Sequence, residues 1–326
     1  QNGTEGIYFS EASGTIESNT WEDYRARPLG VYGGEMVARN NSIDGFGYYA
    51  ASCVEATLEI DETQIENGGA WSYSYDVYVD DSYEATYSDT EVGYALYGYG
   101  CTMTVSDTDL GDLDGSAIRA RTYGTDDRYE LYDVSVSLAG THDEAGYSAI
   151  YFYVDSGSNT VSMDTITIDE AHQEDAVELL SSTDPLEVTI DNLTVLQATD
   201  HGIFAQGAGV DLDLRDCLIT GVGSETIHAL ETTIDVVDCE LTQADYAGVM
   251  LAETTGTVTG NTITDNGQHG MDCTDVTIDD CSDNDLSDNT LGEQTGCPTE
   301  CGEEAEGDTG DTGSPEDTGD VDTGSD

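Results

Sequence analysis

Short runs of alternating apolar and polar residues follow one another along most of this chain. In WSYSYDVYVD, which begins at Trp71, the alternation has a period of two, as in a half-buried β-strand. The repeated stretches further along the chain lack the period of 3.6 residues that an amphipathic helix shows. The pattern therefore predicts an all-β protein built of many short strands.

The strands repeat at a regular spacing from about residue 103 to residue 290. One series of apolar positions is separated by 24, 22 and 22 residues: Val195, Ile219, Leu241 and Ile263. A second series follows the first by eight residues: Ile203, Ile227, Val249 and Met271. Such a unit cannot bury its apolar side chains alone, but it can when stacked on its neighbours. We therefore expect a solenoid with coils of about 22–26 residues.

This repeat resembles the right-handed parallel β-helix of the pectin-lyase-like superfamily. More narrowly, it resembles secreted bacterial β-helix repeat proteins of the cell surface that carry DTG-rich tails. The resemblance implies an all-β fold, a right-handed parallel β-helix with a disordered acidic tail. The predicted segments are a Tyr-rich β region of early irregular coils at 1–100, the β-helix repeats at 101–291, a Cys-containing cap at 292–306 and an Asp/Thr/Gly spacer at 307–326.

Charge excludes several classes of partner. The chain carries 7 Lys+Arg residues, all of them arginine, against 69 Asp+Glu residues, and its formal net charge is −62. Nucleic acids and anionic membranes are held mainly through basic residues, so we expect neither as a partner. No apolar run is long enough to insert into a membrane. So acidic a surface indicates adaptation to high salt or to divalent cations.

The C-terminal sequence EGDTGDTGSPEDTGDVDTGSD contains Asp-Thr-Gly, the signature of aspartic proteases. Val321 is the one apolar neighbour of these triplets, so they cannot form a buried active site, and the composition is typical of a disordered spacer. We interpret it as a spacer leading to an anchor outside this sequence. The first residue is Gln and no signal-like segment follows, which we interpret as a secreted or cell-surface bacterial protein whose signal peptide is absent or already removed.

Eight cysteines have no zinc-binding spacing, so disulfides formed in an oxidising compartment are the preferred interpretation. Cys217 and Cys239 stand at equivalent places one coil apart and are predicted to pair, with two buried thiols as the alternative. Cys297 and Cys301 are predicted to pair with each other and to cap the open end of the stack.

Acidic residues suggest calcium at two places. The stretch DTDLGDLDG supplies Asp107, Asp109, Asp112 and Asp114, whose oxygens suit Ca²⁺, although the spacing departs from an EF-hand loop and a solvated turn is the alternative. A second set would stack in one column at a corner of the coils: Asp107, Asp133, Thr165, Asn192, Asp216, Asp238 and Gly260. The preferred interpretation of this column is a row of turn-forming residues, and the alternative is a row of cation sites.

Aromatic residues suggest a carbohydrate site. Only Tyr246 of the 20 tyrosines lies beyond residue 160. Trp71, Tyr73, Tyr75 and Tyr78 would form a platform on which sugars stack, unless they fill the core instead.

Evidence for catalysis is weaker. The stretch beginning at Arg25 matches the arginine signature of pectate lyases out of register, and the segments typical of polygalacturonases are incomplete. His201 and His269 precede the same Gly-apolar step of their coils, with Glu225 at a comparable place. We interpret them as polar turn residues, because a general base needs a positioned partner.

The sequence therefore predicts an extracellular or cell-surface, non-catalytic β-helix scaffold for adhesion or carbohydrate binding, adapted to salt or calcium. A polysaccharide or another surface component would be its partner. The first alternative is a polysaccharide lyase or glycoside hydrolase on the same fold. The second is a structural subunit of a surface filament, which would make the protein a homo-oligomer.

Overall fold

A computed structural model gives the structure of the protein. It describes residues 5–24, 27–68, 71–72, 75–76, 86–87, 90–91, 94–122, 126–141, 147–298 and 301. These residues form strands and turns and contain no helix, so the all-β prediction is confirmed. Within the same residues there is accordingly no helix with the length and hydropathy needed to cross a membrane.

Thirty-three strands are present in the described residues. The first third of the chain contains β1 Glu5–Ser10, β2 Ser13–Glu17, β3 Thr20–Tyr24, β4 Arg27–Tyr32, β5 Glu35–Arg39, β6 Ser42–Phe46, β7 Tyr49–Val54, β8 Thr57–Asp61, β9 Gln64–Gly68, β10 Trp71–Ser72, β11 Tyr75–Asp76, β12 Thr86–Tyr87, β13 Thr90–Glu91 and β14 Tyr94–Tyr99. The middle third contains β15 Thr102–Leu113, β16 Ile118–Thr122, β17 Arg128–Val136, β18 Ile150–Val154, β19 Asn159–Ile168, β20 Val177–Ser181, β21 Leu186–Val195, β22 Ile203–Gln206 and β23 Val210–Arg215. The last third contains β24 Leu218–Thr220, β25 Ile227–Leu230, β26 Thr233–Val237, β27 Glu240–Thr242, β28 Val249–Ala252, β29 Thr255–Thr259, β30 Thr262–Thr264, β31 His269–Thr274, β32 Thr277–Asp280 and β33 Gly292–Thr295.

One sheet runs from β1 to β33, along the full length of the described solenoid, and is called the long sheet here. Its 12 strands follow the order β1-β4-β7-β14-β16-β18-β20-β22-β25-β28-β31-β33. All neighbouring pairs are parallel, so each strand returns to the same wall after one complete coil. The second apolar series from the sequence stacks in register in this sheet, as predicted: Ile203, Ile227, Val249 and Met271.

The remaining solenoid strands form a second wall that bends once in every coil. The first apolar series, from Val195 to Ile263, stacks in register there and is buried. Long strands such as β19 and β21 run through the bend, whereas β23 and β24 are separate strands on either side of it. These coils therefore bend at the same place, and they differ there only in whether one strand continues through the bend.

Each bend contains a residue in the left-handed backbone region. The predicted corner column has φ between 45° and 70° throughout: Asp107, Asp133, Thr165, Asn192, Asp216, Asp238 and Gly260. Asn, Asp and Gly tolerate this conformation best, so backbone geometry accounts for most of the residue types. All seven residues are exposed at the surface.

The solenoid begins earlier than the sequence pattern could follow. Strands β1, β4 and β7 already belong to the long sheet, and β2, β5 and β8 to the second wall. Between β9 and β14 the described residues instead form two small antiparallel pairs, β10 with β13 and β11 with β12. Most of the Tyr-rich region before residue 68 is therefore regular β-helix.

All eight cysteines lie among the described residues. Cys217 is bonded to Cys239, in the pairing that the repeat phase predicts. The predicted bond between Cys297 and Cys301 is wrong: Cys297 is bonded to Cys273, and Cys301 to Cys281. Neighbouring coils are about 4.8 Å apart, which suits bonds across coils, and the Cα–Cα distances are 4.8 Å and 4.4 Å.

Candidate functional site

The outward side chains of the long sheet form a patch that we call the aromatic–arginine face. Its residues alternate on successive strands in two columns, which are Tyr97, Arg119 and Tyr151 in one and Tyr99, Arg121 and Tyr153 in the other. Strand pairing fixes this order, because residues in register on parallel strands stack about 4.8 Å apart. Buried neighbours such as Leu96 and Ile118 point to the core, so the alternation of each strand places the rings and guanidinium groups outside.

The two arginines pack against tyrosine rings. The guanidinium carbon of Arg119 lies 4.3 Å from the ring centroid of Tyr151 and 5.5 Å from that of Tyr94. Arg121 lies 5.4 Å from the centroid of Tyr153, and its Nη2 donates a hydrogen bond of 3.1 Å to Asp155 Oδ1. The patch encloses a shallow pocket of about 260 Å³. Cation–π packing of this kind keeps both side chains extended over the sheet.

Arg119 has an unusual position in a chain with a net charge of −62. The structure describes the side chains of five arginines, and four of them pair with carboxylates: Arg39, Arg121, Arg128 and Arg215. Arg119 is the one of these five with no carboxylate of a described residue within 4.0 Å. Its half-buried guanidinium group therefore keeps its hydrogen-bonding capacity for an anion from outside.

Glu178 continues the first column beyond Tyr151. Burial raises the pKa of Glu178 to about 7, and the charges of Asp175 and Glu174 act in the same direction. A hydrogen bond of 2.6 Å from Ser148 Oγ and the charge of Arg119 act against this rise of the pKa. The carboxyl group can therefore give or accept a proton near neutral pH.

A second group of polar side chains, called the His201 cluster here, consists of Asp175, His201, Glu225 and His228. The first three stand two residues before the first residue of β20, β22 and β25, so they stack in one column at the corner that leads into the long sheet. His228 belongs to β25 itself and points outward, in the column that continues from Glu178 through Phe204. Strand alternation and corner stacking together bring the four side chains to one place.

Short contacts connect the cluster. Asp175 Oδ1 lies 2.7 Å from His201 Nδ1 and also accepts a hydrogen bond of 3.0 Å from the His201 backbone N–H. His201 Nε2 lies 3.2 Å from Glu225 Oε2 and 3.1 Å from His228 Nδ1. The exposed fraction of the side chains is 8% for Asp175, 11% for Glu225, 12% for His201 and 20% for His228. The cluster is therefore well shielded from water but reachable from the sheet face.

The two imidazoles of the cluster have pKa values shifted in opposite directions. Burial lowers the pKa of His201, but hydrogen bonds with Asp175 and Glu225 outweigh burial and raise the pKa to about 10. Burial and the positive charge of His201 lower the pKa of His228. Burial raises the pKa of Glu225, but the hydrogen bond with His201 outweighs it and the net change is downward. At neutral pH His201 is thus an imidazolium, His228 a neutral imidazole and Glu225 a carboxylate.

The sequence interpretation of the histidines was incomplete. His201 was expected to be a turn residue without a positioned partner, and the structure supplies that partner in Asp175. His269 lies in β31, in the same corner column as Glu225 but two coils further along. Ala247 occupies the place between them in that column. The repeat phase could have found Asp175, because it precedes Val177 as His201 precedes Ile203. His228 requires the outward alternation of β25 as well.

The four aspartates proposed for calcium do not come together. Asp107, Asp109 and Asp112 lie in the 12-residue strand β15, and Asp114 follows it, so the stretch is not a loop. Asp107 and Asp112 have φ values of 45° and 51°, so β15 bends at both residues. Asp109 accepts a hydrogen bond from Ser135, and Asp114 accepts one of 2.7 Å from Thr141.

Two groups of metal-ligand type are found in the part of the chain that the structure describes, with ligand atoms within 4.8 Å of one another. Both belong to the region of the His201 cluster: His201 with Glu225 and His228, and His201 with Asp175 and Asp200. The Asp107–Asp114 stretch is in neither group. Calcium binding by this protein stays a prediction.

The proposed aromatic platform is only partly described. Trp71 belongs to β10 and Tyr75 to β11, in the small antiparallel pairs, whereas Tyr73 and Tyr78 lie outside the described residues. Sugar stacking on these four residues stays a prediction. Tyr97 and Tyr99, from the same Tyr-rich part of the sequence, lie on the aromatic–arginine face.

Comparison with known proteins identifies the architecture. Residues 175–306 match the family model described as a right-handed β-helix region. With the parallel coils, this match establishes a right-handed parallel β-helix. A search of curated proteins finds no match.

Two solved structures illustrate how distant the similar proteins are. The periplasmic alginate epimerase AlgG is 10% identical, with a TM-score of 0.41, over 84% of this chain and 77% of that protein. The A-module of the mannuronan C-5 epimerase AlgE4 from Azotobacter vinelandii is 9% identical, with a TM-score of 0.41, over 89% of this chain and 91% of that module. Neither similarity carries an argument about activity.

Proposed function

We propose that this right-handed β-helix protein binds an acidic polysaccharide along the outer side of its long sheet, on the aromatic–arginine face. The observation that carries the proposal is Arg119, which lies against Tyr151 and has no carboxylate partner among the residues that the structure describes, in a strongly acidic protein. A polymer whose sugar units bear carboxylates offers both a ring to stack and an anion to pair.

The arrangement suits an extended ligand. Tyrosine side chains bury a large ring for little loss of conformational entropy, and the rigid strands hold the rings at fixed intervals. Arg119 and Arg121 stand side by side between the tyrosine rows. Arg121 already pairs with Asp155, whereas the guanidinium group of Arg119 can pair with a ligand carboxylate in fork geometry. The exposed acidic surface repels polyanions elsewhere, which confines the ligand to this face.

The same proposal includes an extracellular or periplasmic location. Its support is the three disulfides, because such bonds persist in oxidising compartments. Calcium in that environment would bridge carboxylates of the protein and of the ligand.

Binding of defined fragments of polygalacturonate and alginate, measured by calorimetry, tests the proposal. We expect Arg119→Gln to weaken binding by at least about tenfold, since a hydrogen bond to a charged group contributes roughly 1.5–3 kcal/mol. Arg215→Gln is the matched control, because Arg215 is exposed on the second wall and pairs with Asp213. Equal affinity of the Arg119 variant and the wild type, or equal binding of neutral dextran fragments, would contradict the proposal.

An enzymatic role is a second candidate, and Glu178 is the observation that favours it. This carboxyl group has a pKa of about 7 and lies one strand from Tyr151 on the same face. It would serve as a proton donor or acceptor for a lyase or a glycoside hydrolase. Release of unsaturated or reducing ends from a bound polymer, abolished by Glu178→Gln, would support catalysis. Binding without either product would leave the non-catalytic scaffold.

A further inference from the structure

Three ligand atoms of the His201 cluster form a nearly equilateral triangle. His201 Nε2 lies 3.2 Å from Glu225 Oε2 and 3.1 Å from His228 Nδ1, and the third side, from His228 Nδ1 to Glu225 Oε2, measures 3.7 Å. Ligands placed tetrahedrally at about 2.0–2.1 Å from a zinc ion are separated by about 3.3 Å. The triangle thus has the size of one face of a zinc coordination sphere.

The side chain of His201 is already oriented for this use. Asp175 Oδ1 lies 2.7 Å from Nδ1 and holds the ring through a contact on the opposite nitrogen from Nε2. Histidines that bind metal commonly use their second nitrogen in this way, which fixes the tautomer and raises the basicity of the first. The backbone N–H of His201 donates to the same carboxylate oxygen, so Asp175 is fixed as well.

Hydrogen bonds alone do not satisfy all three of these ligand atoms well. A single hydrogen on His201 Nε2 must serve both Glu225 Oε2 and His228 Nδ1, and one N–H cannot align well with two acceptors. A cation at the centre would displace the proton from His201 Nε2 into solvent, and it would then accept the lone pairs of all three atoms at once. Two imidazole nitrogens and one carboxylate also form a donor set that catalytic zinc sites use.

We propose that His201, Glu225 and His228 bind one divalent transition-metal ion of the zinc type, with the fourth coordination position left to water or to an oxygen of a ligand. Calcium does not fit this site, because it requires six to eight oxygen ligands and two of these three ligands are nitrogens. Asp175 is a positioning residue that acts through His201.

The site adjoins the face described above but does not depend on its function. His228 lies in the same outward column as Tyr151, three strands further along the long sheet. At about 4.8 Å per strand this is a separation of about 14 Å. Metal binding can be measured without any saccharide, so failure of one proposal leaves the other intact.

Titration of the chelator-treated full chain with Zn²⁺, in a large excess of Mg²⁺ that saturates surface carboxylates, tests the proposal. We expect one tightly bound Zn²⁺ per chain and a higher unfolding temperature, because a ligand that binds the native state stabilises it. Co²⁺ in place of Zn²⁺ should give the intense visible absorption of a tetrahedral site. Absence of stoichiometric binding, or a weak octahedral Co²⁺ spectrum, would overturn the proposal.

Variants locate the ion. His228→Ala should weaken Zn²⁺ binding by at least about a hundredfold, and Asp175→Asn by about 10–100-fold, the range for residues that orient a metal ligand. His172→Ala is the matched control, because His172 also contacts a carboxylate, Glu170, at 3.0 Å but belongs to neither metal-ligand group found among the described residues. His228 is 20% exposed and points outward, so its replacement should preserve the fold, as the unfolding temperature without metal will show. Unchanged affinity of His228→Ala would contradict the assignment, as would Zn²⁺ binding that is lost only when Cys53 and Cys101 are blocked.

Discussion

At the scale of single residues, buried asparagines connect neighbouring coils. Asn261 Oδ1 accepts a hydrogen bond of 2.9 Å from Cys239 N–H, and its Nδ2 donates one of 3.0 Å to Val236 O. Its backbone N–H donates to Asn284 Oδ1 in the following coil. Because the side chain is 1% exposed, removing it leaves buried backbone groups without partners.

We expect Asn261→Ala to lower the free energy of unfolding by about 2–3 kcal/mol, since each unsatisfied buried group costs roughly 1–3 kcal/mol. Urea unfolding followed by circular dichroism measures the change. Thr262→Ala, at the exposed neighbouring residue, should stay within about 0.5 kcal/mol of the wild type. Equal stability of the two variants would show that water replaces the amide.

The raised pKa of Glu178 has a defined effect on stability. The native carboxyl group keeps its proton up to about pH 7, whereas the unfolded chain releases it near the ordinary value of 4.5. The native state therefore binds more protons between these values, and the contribution of Glu178 to stability falls as pH rises through this window.

Glu178→Gln should remove this fall, so that the variant gains stability over the wild type between pH 5 and pH 8. The full shift corresponds to about 3 kcal/mol, and partial exposure of the side chain reduces the expected gain to about 1 kcal/mol. Urea unfolding at a series of pH values measures the difference. A constant difference at all pH values would contradict the assigned pKa.

At the scale of elements, the repeat phase predicts part of the molecule well. Val195, Ile219 and Leu241 are apolar, buried and evenly spaced, so the pattern alone gives their register. The register of the coils before residue 68 could not be predicted in this way, because small residues such as Ala38 and Ala51 occupy core positions there and weaken the apolar pattern. The repeat pattern also failed to predict the bond partners of Cys297 and Cys301, because β33 returns to the long sheet after an irregular turn.

The site was less predictable than the fold. Asp175, His201 and Glu225 share one phase position and could be grouped from the sequence. His228 comes from a different wall of the coil, and only the pairing of β22 with β25 places it beside His201. In the same way, Arg119 and Tyr151 become neighbours through strand pairing across 32 residues of sequence.

Disulfide bonds attach the last described strands to earlier coils of the β-helix. Cys273–Cys297 and Cys281–Cys301 both connect the segment around β33 to an earlier coil, whereas Cys53 and Cys101 are buried thiols. We expect two alkylated thiols per chain after denaturation without reductant, and eight after reduction, as counted by intact mass. Reduction should lower the free energy of unfolding by about 2–4 kcal/mol per bond. Eight reactive thiols without reductant would contradict the three bonds.

At the scale of the whole molecule, the net charge of −62 sets the conditions for stability. Repulsion between carboxylates weakens the compact state, and at about 0.15 M salt the Debye length falls to about 8 Å. The exposed groove along the corner column collects three carboxylates, those of Asp216, Asp238 and Glu240. These three residues form none of the close metal-ligand groups found in the described residues, so calcium here would also need water and backbone oxygens, and we expect it to bind in this groove on those terms.

The unfolding temperature should therefore rise with sodium chloride, and it should rise further with millimolar calcium at the same ionic strength. Calorimetry with a chelator control measures both effects. Asp238→Asn should remove most of the calcium-specific rise and leave the sodium effect. If calcium does no more than sodium at equal ionic strength, the carboxylates act as a salt-adapted surface.

The left-handed corner residue gives the molecule a simple way to change its length. The described coils from Asp107 to Gly260 bend through the same left-handed backbone conformation, at a residue that is exposed at the surface. Duplicating about 22 residues would therefore add one more rung without disturbing the rungs on either side. Duplication and deletion of such units in the gene would therefore set the length of the long sheet and, if the proposed function holds, the length of polysaccharide that one molecule could span.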